Sequence, residues 1–410
     1  MDDATGLLIT VTGTDRPGIT AQVFGLIDEH GGRVIDVEQV VIRERLVLGI
    51  LLSPNDPDKL AAALASLADE LGVEISCEPA SVGNAGESGP RHFVTVVGQP
   101  LRTGAIAELA GEMARLNGNI EQITRLSRYP VQSFEFLVSG ADGETLRAAL
   151  SNEAAQQHID VAVQPATLYR RAKRLVCLDV DSTLLQGEAI ERIADLAGCG
   201  EQVRRVTSEA MHGALEFGDS LRARVAMLEG LEVAHLRECV ERLRLTPGAK
   251  TLVRTLKRLG FQVAIVSGGF TQVTDWLTER LSIDYAAANT LEVDHGQLTG
   301  RVVGHVVDRT AKARLLEDFA DQAGVPLSQT VAIGDGANDV DMLGSAGLGI
   351  AFNAKTPARE AADTSLNVPY LDAILFLLGI TREEIEAAEA ADPLAPIDDS
   401  GEAQMLHGSF

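Results

Sequence analysis

Short apolar runs alternate with amphipathic stretches along almost the whole chain, and they fall into three groups. In the first, Leu7–Thr12 reads as a strand, and Ile19, Val23, Leu26 and Ile27 share one face of the helix that follows. Gly31-Gly32 stops that helix. Val34–Ile42 and Leu46–Leu52 read as a hairpin. Asp56-Pro57-Asp58 opens a second helix that runs through Leu71, and Val73–Cys77 forms a last strand. This β-α-β-β-α-β order is that of a ferredoxin-like unit. Ser81–Pro90, rich in Gly and Ser, reads as a linker. The pattern then returns, with a strand at Phe93–Val97, a turn at Gly98–Gly104 and a helix at Ile106–Leu116 stopped by Asn117-Gly118. Gly18 and Gly104 stand 86 positions apart, as do Gly32 and Gly118, so the second group is an internal repeat of the first.

A basic connector, Thr167–Arg174, leads into the third group. Leu175-Val176-Cys177-Leu178 reads as a short buried strand that ends in Asp179-Val180-Asp181-Ser182-Thr183. In an open parallel sheet such a strand end faces the ligand crevice. The two carboxylates could hold a metal or divide nucleophilic and acid/base work. Taken alone, the pair serves a solvated turn equally well. Residues 187–245 are helix-patterned almost throughout, and Pro247-Gly248 returns the chain to alternating helix and strand through Ile350. Three later stretches also end in polar residues: Val263–Val266 before Ser267-Gly268-Gly269, Asp308–Lys312 at a helix start, and Thr330–Ile333 before Gly334-Asp335-Gly336-Ala337-Asn338-Asp339.

In that order the four stretches closely resemble the haloacid dehalogenase-type phosphohydrolases. The Asp-Ser-Thr form of the first, together with the cap residues below, resembles the phosphoserine phosphatases of that superfamily over roughly Lys173–Ile380. The two N-terminal units resemble ACT domains, small modules that bind amino acids. The implied architecture is α/β: ACT domains at 1–80 and 91–165, then a Rossmann-like parallel-sheet core at 173–187 and 247–383 that carries a helical cap at 188–246. The tail, 384–410, is Ala-, Glu- and Asp-rich and is expected to fray or be disordered.

The resemblance implies Asp179 as nucleophile and Asp181 as acid/base, the latter needing a raised pKa. Mg²⁺ would sit on Asp179, the Asp181 carbonyl and Asp335, with Asp339 outside the ligand set, orienting water or Lys312. Ser267, the Gly268 N–H and Lys312 would hold the phosphoryl group. From the cap, Glu188 would face the substrate ammonium, and Arg224, rather than its neighbour Arg222, the carboxylate. Met211 and Phe217 would shield the site or simply pack, and Asn338 would bond the substrate. In the first ACT unit, Asp15-Arg16-Pro17-Gly18 leaves helix N–H groups for an effector carboxylate, L-serine being the first guess. The second unit, with Gln99-Pro100-Leu101-Arg102-Thr103-Gly104, departs from that pattern and could be structural only. The implied substrate is O-phospho-L-serine. Other small phosphate esters, and a silent amino-acid-sensing scaffold, are the alternatives.

Composition changes this picture in two places. The net charge of −24 argues against nucleic acid and requires local cations at any phosphate site. Charges beyond a Debye length of about 8 Å are screened, so nearby cations suffice. The four cysteines show no metal-ligand spacing and read as reduced structural thiols, and no apolar run approaches a membrane span. A cytoplasmic homodimer is expected.

Overall fold

The computed structural model describes residues 5–81, 89–211 and 217–391, apart from the side chains of residues 5, 208–211 and 217. The chain divides into two compact units, Met1–Ser88 and Gly89–Phe410.

The first unit runs β1 (Thr5–Thr14), α1 (Ile19–Glu29), β2 (Arg33–Ile42), β3 (Arg45–Ser53), α2 (Pro57–Leu71) and β4 (Glu74–Ser81). Its antiparallel sheet has the order β2-β3-β1-β4. Alternation on β1 sends Leu7, Ile9 and Val11 inward, where they meet Ile19, Val23 and Ile27 of α1 and Leu60 and Leu64 of α2. Strand β2 is exposed along its whole length, with Val37, Val40 and Ile42 in solvent.

The second unit opens with the repeat: β5 (Arg91–Gly98), α3 (Thr103–Arg115), β6 (Asn119–Ser127), β7 (Gln132–Ser139), α4 (Gly143–Gln157) and β8 (Asp160–Pro165), in sheet order β6-β7-β5-β8. One glycine pair of the repeat has a common cause. A Cβ on Gly32 would meet Ile27, and one on Gly118 would meet the Met113 carbonyl, so both loops press on the helix they leave. The other pair does not. Gly18 caps α1 with φ 99°, whereas Gly104 lies inside α3.

After a short helix, α5 (Leu168–Arg171), β9 (Leu175–Asp179) starts the larger sheet. The cap follows as α6 (Ala189–Leu196), α7 (Gly200–Met211), α8 (Phe217–Ala226) and α9 (Val233–Val240). Then come α10 (Ala249–Arg258), β10 (Gln262–Phe270), α11 (Thr271–Leu281), β11 (Tyr285–Asp294), β12 (Gln297–Val303) and α12 (Arg309–Ala323). The last elements are β13 (Thr330–Gly334), α13 (Val340–Ser345), β14 (Gly349–Phe352), α14 (Thr356–Ala361), β15 (Thr364–Leu366), α15 (Ile374–Leu377) and α16 (Arg382–Ala390). The sheet order is β12-β11-β10-β9-β13-β14-β15, parallel except for β11–β12. Strand β9 is buried on both faces. Val176 and Leu178 enter one cluster, Leu175 and Cys177 the other, which explains its unbroken apolar run.

Two expectations are corrected. Helix and strand do not alternate without a break, because β11 and β12 form a hairpin whose turn, His295-Gly296, has φ 48° and 82°. Positive φ at both central residues makes such a two-residue turn, which Gly favours and which here closes on the cap: the Gly230 N–H donates to the Leu298 carbonyl at 2.8 Å. The tail does not fray after Glu383. Helix α16 runs to Ala390, because Thr381 and Glu384 form a reciprocal capping box and Ile385 is buried. Residues 392–410 lie outside the described residues. All four cysteines are unpaired.

The repeat is fused to the larger sheet. Buried Asp160, at the start of β8, accepts from the Asn367 N–H and Nδ2, each at 2.7 Å. Burial pushes its carboxyl up to about 6 against those bonds. Arg170 is buried too, pairs with Glu135, and stacks 4.3 Å above the Phe93 ring. Its Nε donates to the Leu377 carbonyl at 3.4 Å. Removing one member of a buried pair strands the other. Arg170→Met should therefore destabilise the second unit by about 3–5 kcal/mol in urea unfolding. Adding Glu135→Leu should recover much of that loss, and a single variant as stable as wild type would contradict the fusion described here.

Candidate active site

Strand β9 sits at the centre of the sheet, with β10 on one side and β13 on the other. The chain moves outward in both directions from it, so the carboxyl ends of these three strands form the switch-point crevice of an open α/β sheet. Asp179 is the last residue of β9 and is 3 % exposed. The chain then makes a wide π-type turn over Val180–Leu184, closed by the Leu185 N–H on the Val180 carbonyl at 2.8 Å, with Ser182 at φ 61°. That turn brings Asp181 alongside Asp179. Asp181 Oδ1 accepts from the Ala189 N–H at 2.7 Å, which ties it to the first cap helix.

On β10, pairing with β11 is interrupted between Val266 and Phe270, and Ser267-Gly268-Gly269 occupies the break. Buried Ser267 accepts from the Gly269 N–H at 2.8 Å. A Cβ on Gly269 would stand 2.9 Å from Ser267 Oγ and 3.0 Å from Asp181 Oδ2, so only glycine lets the three approach. Lys312 lies in the first turn of α12, which Asp308 caps by accepting from the Ala311 N–H at 2.8 Å. Its ammonium is fully buried and donates to Asp179 Oδ1 and, at 2.6 Å, to Asp339 Oδ1. Asp335 follows β13. Gly334 has no room for a Cβ, which would fall 2.5 Å from Asp339 Cγ.

Oxygens of Asp179, Asp335 and Asp339 lie within 4.8 Å of one another, an all-oxygen set that suits a hard divalent cation. Asp339 is close enough to share the ion, yet both its oxygens are engaged. Oδ1 takes Lys312, and Oδ2 accepts the Asp335 and Gly336 N–H groups at 3.2 and 3.0 Å. Hydrogen bonding therefore favours Asp339 as a brace for Lys312 and the Asp335 loop.

The electrostatics follow from this crowding. Burial, then Asp339, raise the Asp179 carboxyl well above its ordinary range, against the pull of Lys312. Burial and Glu188 push Asp181 up to about 7, and burial and Asp339 do the same to Asp335. Burial presses the Lys312 ammonium down, but Asp179 and Asp339 outweigh it and hold it above the usual lysine value.

A cavity of about 660 Å³ opens over these groups, with Asp179, Asp181, Gly268, Asp335 and Asn338 on its floor and Glu188 and Arg224 on its cap side. Arg224 is 8 % exposed, and burial lowers its guanidinium against the field of Glu188 and Asp181. Arg222 points elsewhere, pairing with Asp219 at 3.1 Å on the surface. The side chains of Met211 and Phe217 lie outside the described residues. In the first unit Asp15, Arg16, Pro17 and Gly18 form an exposed turn before α1, whose N-terminus has no side-chain cap, and Arg16 reaches the Leu71 carbonyl.

Sequence reasoning missed three contributors. Asn289 is buried on β11 and braces the Ser267–Gly269 loop, donating to the Gly268 carbonyl and accepting from the Val307 N–H, each at 2.8 Å. Lys355 and Arg309 line the cavity and add positive charge; the Lys355 N–H also donates to the Asp335 carbonyl at 2.9 Å. Arg309 had only its place beside Lys312 as a signal, and Lys355, sixteen residues beyond Asp339, had none.

Residues 176–344 match the haloacid dehalogenase-like hydrolase family, and residues 5–78 and 90–164 each match an ACT domain family. A phosphoserine phosphatase of Streptomyces coelicolor is 53 % identical over 397 residues, covering 96 % of this chain and 97 % of its own length. One from Mycobacterium tuberculosis is 49 % identical over 396 residues, covering 94 % and 96 %. The unliganded crystal structure of a probable phosphoserine phosphatase from Vibrio cholerae superposes with a TM-score of 0.57 at 34 % identity, over 73 % of this chain and 89 % of that one.

The carboxylates predict how stability responds to pH. Without a cation, folded Asp181 and Asp335 keep protons up to about 7, whereas an ordinary aspartate releases them near 3.8. The folded state thus binds more protons than the unfolded one in that window, and stability falls as pH rises through it. In a chelator, the melting temperature should be higher at pH 5.5 than at pH 8, and Asp335→Asn should flatten the difference. A divalent cation at a hundredfold excess over its Kd should restore about 2.7 kcal/mol at pH 8. A metal-free protein that gained stability between pH 5.5 and 8 would refute this account.

Proposed function

The chain belongs to the phosphoserine phosphatase family of haloacid dehalogenase-like hydrolases, with two ACT domains before the hydrolase unit, and from that premise we propose that it hydrolyses O-phospho-L-serine to L-serine and phosphate through an aspartyl-phosphate on Asp179. One observation carries the reading. The buried Asp179–Lys312–Asp339 cluster opens into the same cavity as the cap's Glu188 and Arg224, so phosphoryl chemistry and recognition of an amino acid share one chamber.

Asp179 Oδ1 is held by Lys312, which leaves Oδ2 as the nucleophile. Attack forms the Oδ2–P bond and breaks the ester P–O bond, while Asp181 gives its proton to the departing serine oxygen. A carboxyl pushed up to about 7 carries that proton at neutral pH. Asp181 then takes a proton from water, whose oxygen attacks phosphorus, releasing phosphate and restoring Asp179. Asp179, the Asp181 carbonyl and Asp335 would hold Mg²⁺, which when bound neutralises charge on the phosphoryl oxygens. Lys312, Ser267 and the Gly268 N–H supply the fixed donors for the same charge. Glu188 pairs with the substrate ammonium, Arg224 with its carboxylate, and Asn338 bonds the bound amino acid.

The same reading places the enzyme at the last step of serine biosynthesis in the cytoplasm, under control by an amino acid bound to the first ACT unit at Asp15–Gly18. The exposed apolar strand β2 supports a homodimer. Among the described residues no helix is long and apolar enough to cross a membrane.

Phosphate release from O-phospho-L-serine should exceed that from phosphothreonine and phosphoglycolate with Mg²⁺ present. Asp179→Asn should lower kcat by at least ~10³-fold, as expected for loss of a nucleophile. Arg224→Met and Glu188→Gln should each raise KM by about thirtyfold or more, the scale of breaking a buried charge contact. Activity on all three substrates without preference would overturn the cap assignment, and a fully active Asp179→Asn the mechanism. Added L-serine should change either the rate or the oligomeric state. If it changed neither, and no other amino acid did, the effector reading would fall.

A further inference from the structure

The cap side of the cavity holds a hydroxyl that no described group satisfies. Ser220 lies on α8, is fully buried, lines the cavity, and its Oγ makes no hydrogen bond among the described residues. Most buried hydroxyls are paired, because desolvation without a partner is costly. The Thr95, Ser133, Thr183 and Thr255 hydroxyls are unpaired too, but Ser220 is the one of these that lines the cavity and so can serve what the cavity binds.

Its neighbours identify that ligand. Arg224 stands one helical turn further on, so the two side chains share a face of α8. Arg224 Nε donates to the Ser220 carbonyl at 3.3 Å, and Nη1 to Thr207 Oγ1 at 3.5 Å. Thr207 is itself anchored by donating to the Val203 carbonyl at 2.9 Å. Two of the five guanidinium donors are thus spent on orientation, and the rest remain for a ligand. Thr207 also lines the cavity and acts as a positioning residue for the guanidinium.

We propose that the Ser220 hydroxyl is part of the carboxylate subsite: it donates to the carboxylate that Arg224 grips, and so sorts amino-acid phosphates from phosphates that lack a carboxylate. The proposal rests on the phosphoserine reading above and deepens it. A hydroxyl suits the position because it adds a directional donor without adding another charge beside the guanidinium.

Steady-state kinetics of the full chain with Mg²⁺ test it, comparing wild type with Ser220→Ala. The probes are O-phospho-L-serine as substrate, and L-serine and O-phosphoethanolamine as competitive inhibitors. Phosphoethanolamine keeps the phosphate and the ammonium but has no carboxylate. In Ser220→Ala, KM for phosphoserine and Ki for L-serine should both rise about tenfold or more, the scale of one hydrogen bond to a charged group. The Ki of phosphoethanolamine should stay within about twofold. An unchanged KM, or equal losses for phosphoserine and phosphoethanolamine, would overturn the proposal, because a purely structural serine cannot tell the two apart. Wild-type protein that failed to turn over phosphoserine would instead sink the underlying activity reading. That result comes before any variant is made.

Discussion

The ammonium of Lys312 is completely buried and stands between Asp179 and Asp339. A lone ammonium there would be driven neutral by desolvation, so the two carboxylates are a condition of its charge. The carboxylates have the converse problem. With Asp335 and Asp181 nearby, acids outnumber the one ammonium, and burial raises several of them towards the protonated form. Backbone donors just beyond the strand ends relieve part of this. Asp339 takes two such N–H groups, Asp181 one. Gly334 and Gly269 are the geometric counterpart of that crowding, since a Cβ at either would push the carboxylates apart. The arrangement is incomplete without a further positive charge. This is why the same residues favour a divalent cation.

Chemistry and recognition are divided between two supports. The floor is built on strand ends of a rigid sheet, and the cap on helices that leave and rejoin that sheet next to each other. Leu185 bridges to Leu245, and the Thr246 N–H donates to the Leu184 carbonyl at 3.0 Å. Asp181 belongs to both, because its side chain faces the floor while holding the first cap helix through Ala189. A cap that moved would therefore act on the Asp181 carboxyl directly. The strongly acidic chain still accommodates an anion because the field is local. Arg224, Arg309 and Lys355 reach the cavity itself, and any charge beyond a screening length acts on it only weakly.

The residues of the floor were legible in the sequence because strand ends leave a sharp signal: a short apolar run, then small and acidic residues in fixed order. Helix α8 was legible only in part. Arg224 carries charge and was read from a family resemblance, whereas Ser220 is an ordinary helix residue whose proposed role depends on burial and on a missing partner. Neither is visible along a chain. Asn289 was hidden for the same reason, as its two bonds join segments distant in sequence. The β11–β12 hairpin and helix α16 were misread for a different reason. His-Gly is a weak turn signal, and an Ala-Glu-rich stretch suits a frayed tail and a capped helix equally until Ile385 finds a core.

The repeat shows how one pattern can take on two tasks. In the first unit the turn before α1 is exposed and ends in Gly18 at φ 99°, so the helix N–H groups face solvent. In the second unit the corresponding corner is closed. Leu101 is 8 % exposed, its N–H donates to Gln132 Oε1 at 2.9 Å, and the glycine has moved into the helix. Meanwhile β8 and α5 of that second unit supply Asp160 and Arg170 to the catalytic sheet, with Glu135 and Phe93 behind them. Val97, Leu126, Val131 and Ala162 of the repeat also enter the core of the larger sheet, so the two are packed as one body. The open turn of the first unit and the closed corner at Leu101 are thus the physical difference between two copies of one pattern.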